Sequence, residues 1–113
     1  MIQIYHNPRC SKSREGLQIL KDSNEEFEVV EYLKTPLTRQ ELTELIKKLG
    51  IEPLDLVRKN EAIWKENYKE KDLPDSQIID AMVNHSNLIE RPIVVNGKKA
   101  IVGRPPTLIK DIL

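Results

Sequence analysis

The residue best suited to chemistry in this sequence is Cys10. The sequence has no second cysteine, which excludes an internal disulfide, a C-x-x-C redox pair and a multi-cysteine zinc site. Cys10 follows the apolar run Ile2–Tyr5 and a breaker-rich loop, and an amphipathic pattern begins at Ser11. The sequence therefore predicts a strand, a loop and a helix. Cys10 lies at the predicted helix N-terminus, where backbone N–H groups and the helix dipole favour a thiolate or a bound oxyanion.

Basic and polar side chains cluster around Cys10 in the sequence. The cations are Arg9, Lys12 and Arg14, and further hydrogen-bonding groups come from His6, Asn7, Ser11 and Ser13. Such groups can contact either the sulfur or an anion bound beside it. The other interpretation is a small buried cysteine next to a solvated basic helix face. The placement of Cys10 between loop and helix favours the functional interpretation.

Three arginines elsewhere in the chain could complete an anion site. Arg58, Arg91 and Arg104 each lie at a predicted element boundary, and a guanidinium group binds tetrahedral oxyanions with forked geometry. Each could instead cover apolar surface or pair with a carboxylate such as Glu61 or Glu90. Spacing alone does not bring the three together.

The dipeptide Arg91-Pro92 opens a predicted strand. A proline at this position can follow a cis peptide bond. We therefore predict a cis Arg91–Pro92 bond beside the cysteine loop.

Hydrophobic patterning predicts the elements that must position these residues. Residues 2–5 form a strand, residues 11 to about 22 a helix and residues 27–32 a second strand, which together make a βαβ unit with parallel strands. A capping box from Thr38 to Glu41 starts the next helix, and Gly50 ends it. Weaker helical patterns continue to the region before Arg91.

The sequence after Pro92 predicts a β-hairpin followed by a final helix. Apolar runs flank Asn96-Gly97, a strong hairpin signal, and Thr107 can cap the last helix. The order is βαβ, helices, ββα, which is an α/β fold. We expect residues 1–113 to form a single domain, with residues about 36–90 as a helical insertion.

Composition excludes several classes of function. The 113 residues include 18 Lys+Arg and 18 Asp+Glu, a net charge of +0, which opposes general binding to nucleic acid or anionic lipid. No apolar run is long enough to span a bilayer, and no export signal opens the sequence. No set of side chains has metal-ligand spacing. We expect a cytoplasmic monomer with no metal, no nucleic-acid partner and no membrane association.

Ordered motifs along the whole chain match one known family. They are YHNPRCSKSR at residues 5–14, Tyr32-Leu33-x-Thr35-Pro36, Arg58, Glu90-Arg91-Pro92-Ile93-Val94 and Gly103-Arg104-Pro105-Pro106. With these motifs the sequence resembles the glutaredoxin-dependent arsenate reductases, the ArsC type with a thioredoxin-like fold. The resemblance implies a mixed four-stranded sheet. The residues Arg9, Ser11 and Lys12 around the cysteine resemble the chromosomal branch of that family more than the plasmid branch.

The resemblance also implies site roles and partners. Cys10 matches the nucleophile, Arg58, Arg91 and Arg104 match the oxyanion-binding arginines, His6 and Ser13 match residues that tune the thiol, and we expect Asn7, Arg9, Lys12, Arg14 and Pro92 to support the site. The substrate would be arsenate or a related oxyanion. Glutathione would act as reductant, glutaredoxin would regenerate the thiol, and no cofactor would be bound.

Two other functions remain open at the level of sequence. A glutathione-linked thiol reductase could use Cys10 on another substrate while the arginines bind glutathione carboxylates. The second is a regulator of the Spx type, a class that resembles this family and contacts RNA polymerase. The usual switch of that class is a C-x-x-C pair, and Ser13 stands at the position of its second cysteine here. This difference argues against a regulator of the Spx type.

Overall fold

One mixed sheet organises the chain, whose residues 2–68 and 72–113 are described by a computed structural model. The strands are β1 (Ile2–Tyr5), β2 (Phe27–Val30), β3 (Ile93–Asn96) and β4 (Lys99–Val102). They lie in the order β2-β1-β3-β4. β1 and β2 are parallel, whereas β1 and β3, and β3 and β4, are antiparallel. The predicted α/β fold with a mixed four-stranded sheet is confirmed.

The helices fall in the predicted order. The α-helices are α1 (Ser11–Asp22), α2 (Arg39–Leu49), α3 (Ala62–Asn67) and α4 (Asp75–Asn84), and the 3₁₀ helices are Pro53–Leu56, Ser86–Leu88 and Pro106–Ile112. The predicted capping box is present, because Thr38 and Glu41 exchange side-chain to backbone hydrogen bonds, and Gly50 ends α2 at φ 66°. No helix in these described parts of the chain combines the length and apolar character needed to cross a bilayer.

The chain divides into two compact units. One contains the chain up to Thr35 together with Arg91–Leu113, and the other is Pro36–Glu90. The sheet and α1 belong to the first unit, and α2, α3 and α4 belong to the second. That the two units form a single domain with a helical insertion stays a prediction.

The first unit is built around an apolar cluster between the sheet and its helices. Ile2 and Ile4 of β1, Leu20 of α1, Val94 of β3 and Ile109 of the last 3₁₀ helix are buried together. Alternate residues of β1 point inward, as expected for a strand with one face on the core. This packing holds α1, whose N-terminal cap is Cys10, against the sheet.

The hairpin loop lies one residue later than predicted. Asn96 still pairs with Lys99 in the β3–β4 ladder, so the loop residues are Gly97 and Lys98, not Asn96 and Gly97. Gly97 has φ 63°, and Lys98 has no positive φ. A type II′ turn needs a positive φ at its first loop residue only, so glycine takes that position. Asn96 remains in the strand, where its Nδ2 donates to the Ile112 carbonyl at 2.7 Å.

Two other boundaries differ from the sequence prediction. β2 ends at Val30 rather than near Tyr32, which is fully buried beyond the strand end. The final helix is 3₁₀ rather than α and begins at Pro106, with Pro105 at the capping position that Thr107 was expected to hold. Proline suits the first helical turn, because its φ is already helical and the N–H it lacks would be unpaired there.

Gly16 allows α1 to approach the C-terminal segment closely. A Cβ at Gly16 would lie 2.9 Å from Ile109 Cδ1 and 3.0 Å from Pro92 Cγ. Ile109 and Pro92 are themselves fully buried, so either would have to shift against the surrounding core.

We expect Gly16→Ala to lower the free energy of unfolding by about 1–3 kcal/mol, because the added methyl overpacks this contact. An exposed helical glycine would instead gain about 0.5–1 kcal/mol from the same change. Denaturant unfolding of Gly16→Ala measures the sign of the change in the free energy of unfolding. Gln18→Ala, at an exposed position on the same helix, is the control. A stabilised Gly16→Ala protein would contradict this packing.

Candidate active site

Four chain segments meet at one edge of the sheet. Tyr5, at the end of β1, is paired with Val30 at the end of β2 and with Ile93 at the start of β3. Ile93 is paired in turn with Val102 at the end of β4. The segments beginning at His6, Glu31 and Gly103, and the segment ending at Pro92, therefore leave the sheet at this edge. This topology brings the predicted site residues of the first unit together.

Cys10 occupies the N-terminal capping position of α1. Its backbone is extended, at φ −95° and ψ 123°, and its side chain makes no capping hydrogen bond. The Cys10 N–H donates to the Asn7 carbonyl at 3.0 Å, and the Cys10 carbonyl accepts from the Arg14 N–H at 3.0 Å. The half-buried thiol is therefore at the positive end of a 12-residue helix, as predicted.

Hydrogen bonds fix the loop before Cys10. Asn7 Oδ1 accepts from the Arg9 N–H at 3.0 Å, and Arg14 Nη1 donates to the Pro8 carbonyl at 2.9 Å. Asn7 and Arg14 thus support the loop backbone, whereas the Arg9 side chain is exposed. Lys12 forms an exposed pair with Glu15 at 3.6 Å, which is the arrangement of a solvated helix face.

A buried hydrogen bond joins the loop to α1. His6 Nδ1 and Ser13 Oγ are 2.7 Å apart, and Ser13 Oγ also accepts from the Asn7 N–H at 3.0 Å. Ser13 is fully buried and His6 is 5% exposed. The two residues that the resemblance assigns to tuning the thiol therefore contact each other, His6 from the loop before Cys10 and Ser13 from the first turn of α1.

Burial lowers the pKa of His6 below its ordinary value of 6.5, and the Glu31 carboxylate opposes part of that shift. Sequence reasoning missed Glu31. The signal was available, because Glu31 follows β2 as His6 follows β1, and the carboxyl ends of parallel strands lie at the same edge of a sheet.

Arg104 connects the C-terminal segment to the cysteine. Its Nε donates to the Arg91 carbonyl at 2.8 Å, and its Nη2 lies 3.6 Å from Cys10 Sγ. The Arg91–Pro92 peptide is cis, as predicted, and Arg104–Pro105 is cis as well, which was not predicted. Pro92 is buried, and its carbonyl accepts from the Gly103 N–H at 2.8 Å.

Arg58 lies in the second unit and is paired with carboxylates there. Its Nη1 is 3.1 Å from Glu61 Oε1, and its Nε is 3.5 Å from Glu90 Oε1. Glu61 and Glu90 are the two carboxylates that the sequence analysis named as alternative partners for these arginines. The structure thus brings Arg104 and the Arg91 backbone to Cys10, and the oxyanion role of Arg58 stays a prediction. Among residues 2–68 and 72–113, no group of three or more metal-binding side chains is suited to a metal ion.

Comparison with known proteins shows the family and the fold of the chain. The model of the ArsC family matches residues 5–112. The chain belongs to the ArsC family. A solved structure, an arsenate reductase from Vibrio cholerae, superposes with a TM-score of 0.95 at 42% identity, covering 99% of this chain and 97% of that one. The thioredoxin-like fold expected from the resemblance is confirmed.

Curated relatives match over nearly their full length. An arsenate reductase of Haemophilus influenzae is 42% identical over 112 residues, covering 97% of each chain. A protein of Escherichia coli K12, named uncharacterized protein YfgD, is 46% identical over 114 residues, covering 99% of this chain and 96% of that one.

We expect an NMR titration to place the pKa of His6 below 6.5, and Glu31→Gln to lower it further because that carboxylate favours the imidazolium. Since the folded protein then binds fewer protons than the unfolded chain, the contribution of His6 to stability is present above pH 6.5 and is lost as the pH falls through the folded-state pKa. A His6 that titrates at or above 6.5 would contradict the burial of its ring.

Proposed function

We propose that the protein is an arsenate reductase that uses Cys10 as its nucleophile. The observation that carries the proposal is the Arg104 guanidinium, whose Nη2 lies 3.6 Å from Cys10 Sγ at the N-terminus of α1. Membership in the ArsC family, with arsenate reductases among the relatives, supports arsenate as the oxyanion.

Arsenate would bind beside the sulfur, between the helix N-terminus and the arginines. Arg104 already donates through Nε to the Arg91 carbonyl, which orients its guanidinium toward Cys10. We assign Arg91 and Arg58 as further oxyanion ligands. The contacts of Arg58 with Glu61 and Glu90 use Nη1 and Nε, and a guanidinium group has five N–H donors.

The first chemical step is attack of the Cys10 thiolate on arsenic. A sulfur–arsenic bond forms, one arsenic–oxygen bond breaks, and the departing hydroxyl takes up a proton and leaves as water. The arginines stabilise the negative charge of the arsenate oxygens during this substitution. Arsenic remains in its pentavalent state.

The second step carries the reduction. The sulfur of glutathione attacks Cys10 Sγ, a disulfide forms, and the electron pair of the breaking sulfur–arsenic bond stays on arsenic, which leaves as arsenite with the thiol proton. A glutaredoxin thiol then attacks the glutathione sulfur and releases the Cys10 thiolate. One cysteine is sufficient for this cycle, and we place it in the cytoplasm, where thiols are kept reduced.

The pair of His6 and Ser13 would hold the geometry of the nucleophile. Ser13 Oγ accepts from the Asn7 N–H, and the Asn7 carbonyl accepts from the Cys10 N–H. The Nδ1 atom of a neutral His6 can accept a hydrogen bond from the Ser13 hydroxyl. This bond completes the hydrogen bonding of the buried hydroxyl. These contacts define the position from which Cys10 attacks.

We expect Arg104→Ala to lower kcat/KM for arsenate by about 100-fold, since it removes a charged donor from the reacting group. Arg104→Lys should restore part of the lost kcat/KM, because lysine keeps the positive charge but lacks the forked N–H donors of the guanidinium group. Arsenite production with glutathione and glutaredoxin measures both, with Arg39→Ala as control, since Arg39 pairs with Asp80 in the second unit.

An Arg104→Ala enzyme that keeps the wild-type kcat/KM would contradict the assignment of the oxyanion site. A wild-type protein that reduces glutathionylated substrates but produces no arsenite would instead favour the glutathione-linked thiol reductase.

A further inference from the structure

A cavity of about 290 Å³ lies beside the loop that ends at Cys10. Residues 6–9 form one wall, and Glu31, Leu33 and Lys34 form the other. All of these residues belong to the first compact unit. Neither Arg91, Arg104 nor Cys10 lines this space, which we call the loop cavity. It is therefore built from residues other than those that contact the sulfur.

The loop cavity combines apolar walls with a charged rim. Pro8 and Leu33 supply apolar surface, and Leu33 is among the few large apolar side chains that are exposed. Arg9 and Lys34 contribute two cations and Glu31 one carboxylate. Lys34 Nζ and Glu31 Oε2 are 3.4 Å apart, and the Lys34 side chain is 75% exposed. Exposed ion pairs of this kind contribute little to stability, so both charges can turn to a ligand at small cost.

We propose that the loop cavity binds glutathione as it attacks Cys10, an inference that rests on the proposed reductase function. At neutral pH glutathione carries two carboxylates and one ammonium group. The loop cavity offers two cations and one carboxylate, so the charges match group for group. The peptide backbone and methylenes between those charges can pack on Pro8 and Leu33.

The chemistry of the second step requires two separate sites. The glutathione sulfur forms a bond to Cys10 Sγ while the sulfur–arsenic bond breaks, and the electron pair of that bond leaves with arsenic. An attacking sulfur approaches opposite the leaving group, so glutathione cannot occupy the space that holds the arsenate oxygens. The loop cavity is separate in this sense, because its lining includes Arg9, the residue before Cys10, but neither Arg91 nor Arg104.

The size of the loop cavity fits part of a tripeptide. Its volume of about 290 Å³ is near the lower end of the roughly 300–1,000 Å³ typical of small-molecule sites. One arm of glutathione would fill it, with the charged group of the other arm on the exposed rim at Lys34 and the cysteinyl sulfur free to reach Cys10.

Steady-state kinetics of Lys34→Glu test the proposal. We expect the KM for glutathione to rise by about tenfold, which corresponds to the loss of one charge-assisted contact, with the KM for arsenate unchanged. Activity supported by dithiothreitol, which has no carboxylates, should equal that of the wild type. Lys98→Glu, the same charge reversal at an exposed lysine in the hairpin loop of the same unit, is the matched control and should leave both KM values unchanged.

A binding measurement separates this proposal from the reductase assignment, because it needs no arsenate. S-methylglutathione, which cannot form a disulfide, should shift the backbone NMR signals of Leu33 and Lys34 in the Cys10→Ser protein, and Lys34→Glu should abolish those shifts. Shifts confined to other residues, or an unchanged KM for glutathione in Lys34→Glu, would overturn the proposal. If the wild type makes no arsenite, the reductase assignment fails, and the NMR result still decides whether the loop cavity binds glutathione.

Discussion

The contact between Arg104 and Cys10 depends on the way the strands are paired, and the chemistry proposed for the protein depends on that contact. β3 lies between β1 and β4, antiparallel to both, so the segment before β3 and the segments after β1 and β4 leave the sheet at one edge. Arg104 links them by donating to the Arg91 carbonyl and approaching Cys10 Sγ. The close packing of Gly16 against Pro92 and Ile109 fixes α1, and with it the thiol, against this edge.

Local signals in the sequence were sufficient for the elements that carry the nucleophile. The apolar run of β1, the breaker-rich loop and the amphipathic pattern from Ser11 predicted Cys10 at the start of α1, because each signal depends only on neighbouring residues. The same holds for the capping box of Thr38 and Glu41 and for the end of α2 at Gly50. The resemblance to the ArsC family added the mixed sheet, which the pattern of strands alone did not specify.

Features that depend on distant parts of the chain could not be predicted from local patterns. Whether Arg58 pairs with Glu61 and Glu90 depends on the packing of the second unit, and spacing had left that choice open. The hairpin loop consists of Gly97 and Lys98 rather than the predicted Asn96 and Gly97, because Asn96 is paired with Lys99 in the β-ladder. The effect of Glu31 on His6 and the loop cavity both arise only where two parallel strands end side by side.

A single-turnover reaction without glutaredoxin tests the central claim, that one cysteine completes the reduction of arsenate. Protein with arsenate and glutathione should release one arsenite for each Cys10 that becomes glutathionylated, as followed by mass spectrometry of the intact protein, and the reaction should stop there. Cys10→Ser should give neither product. Glutathionylation of Cys10 at the same rate without arsenate, or arsenite released without modification of Cys10, would contradict the mechanism.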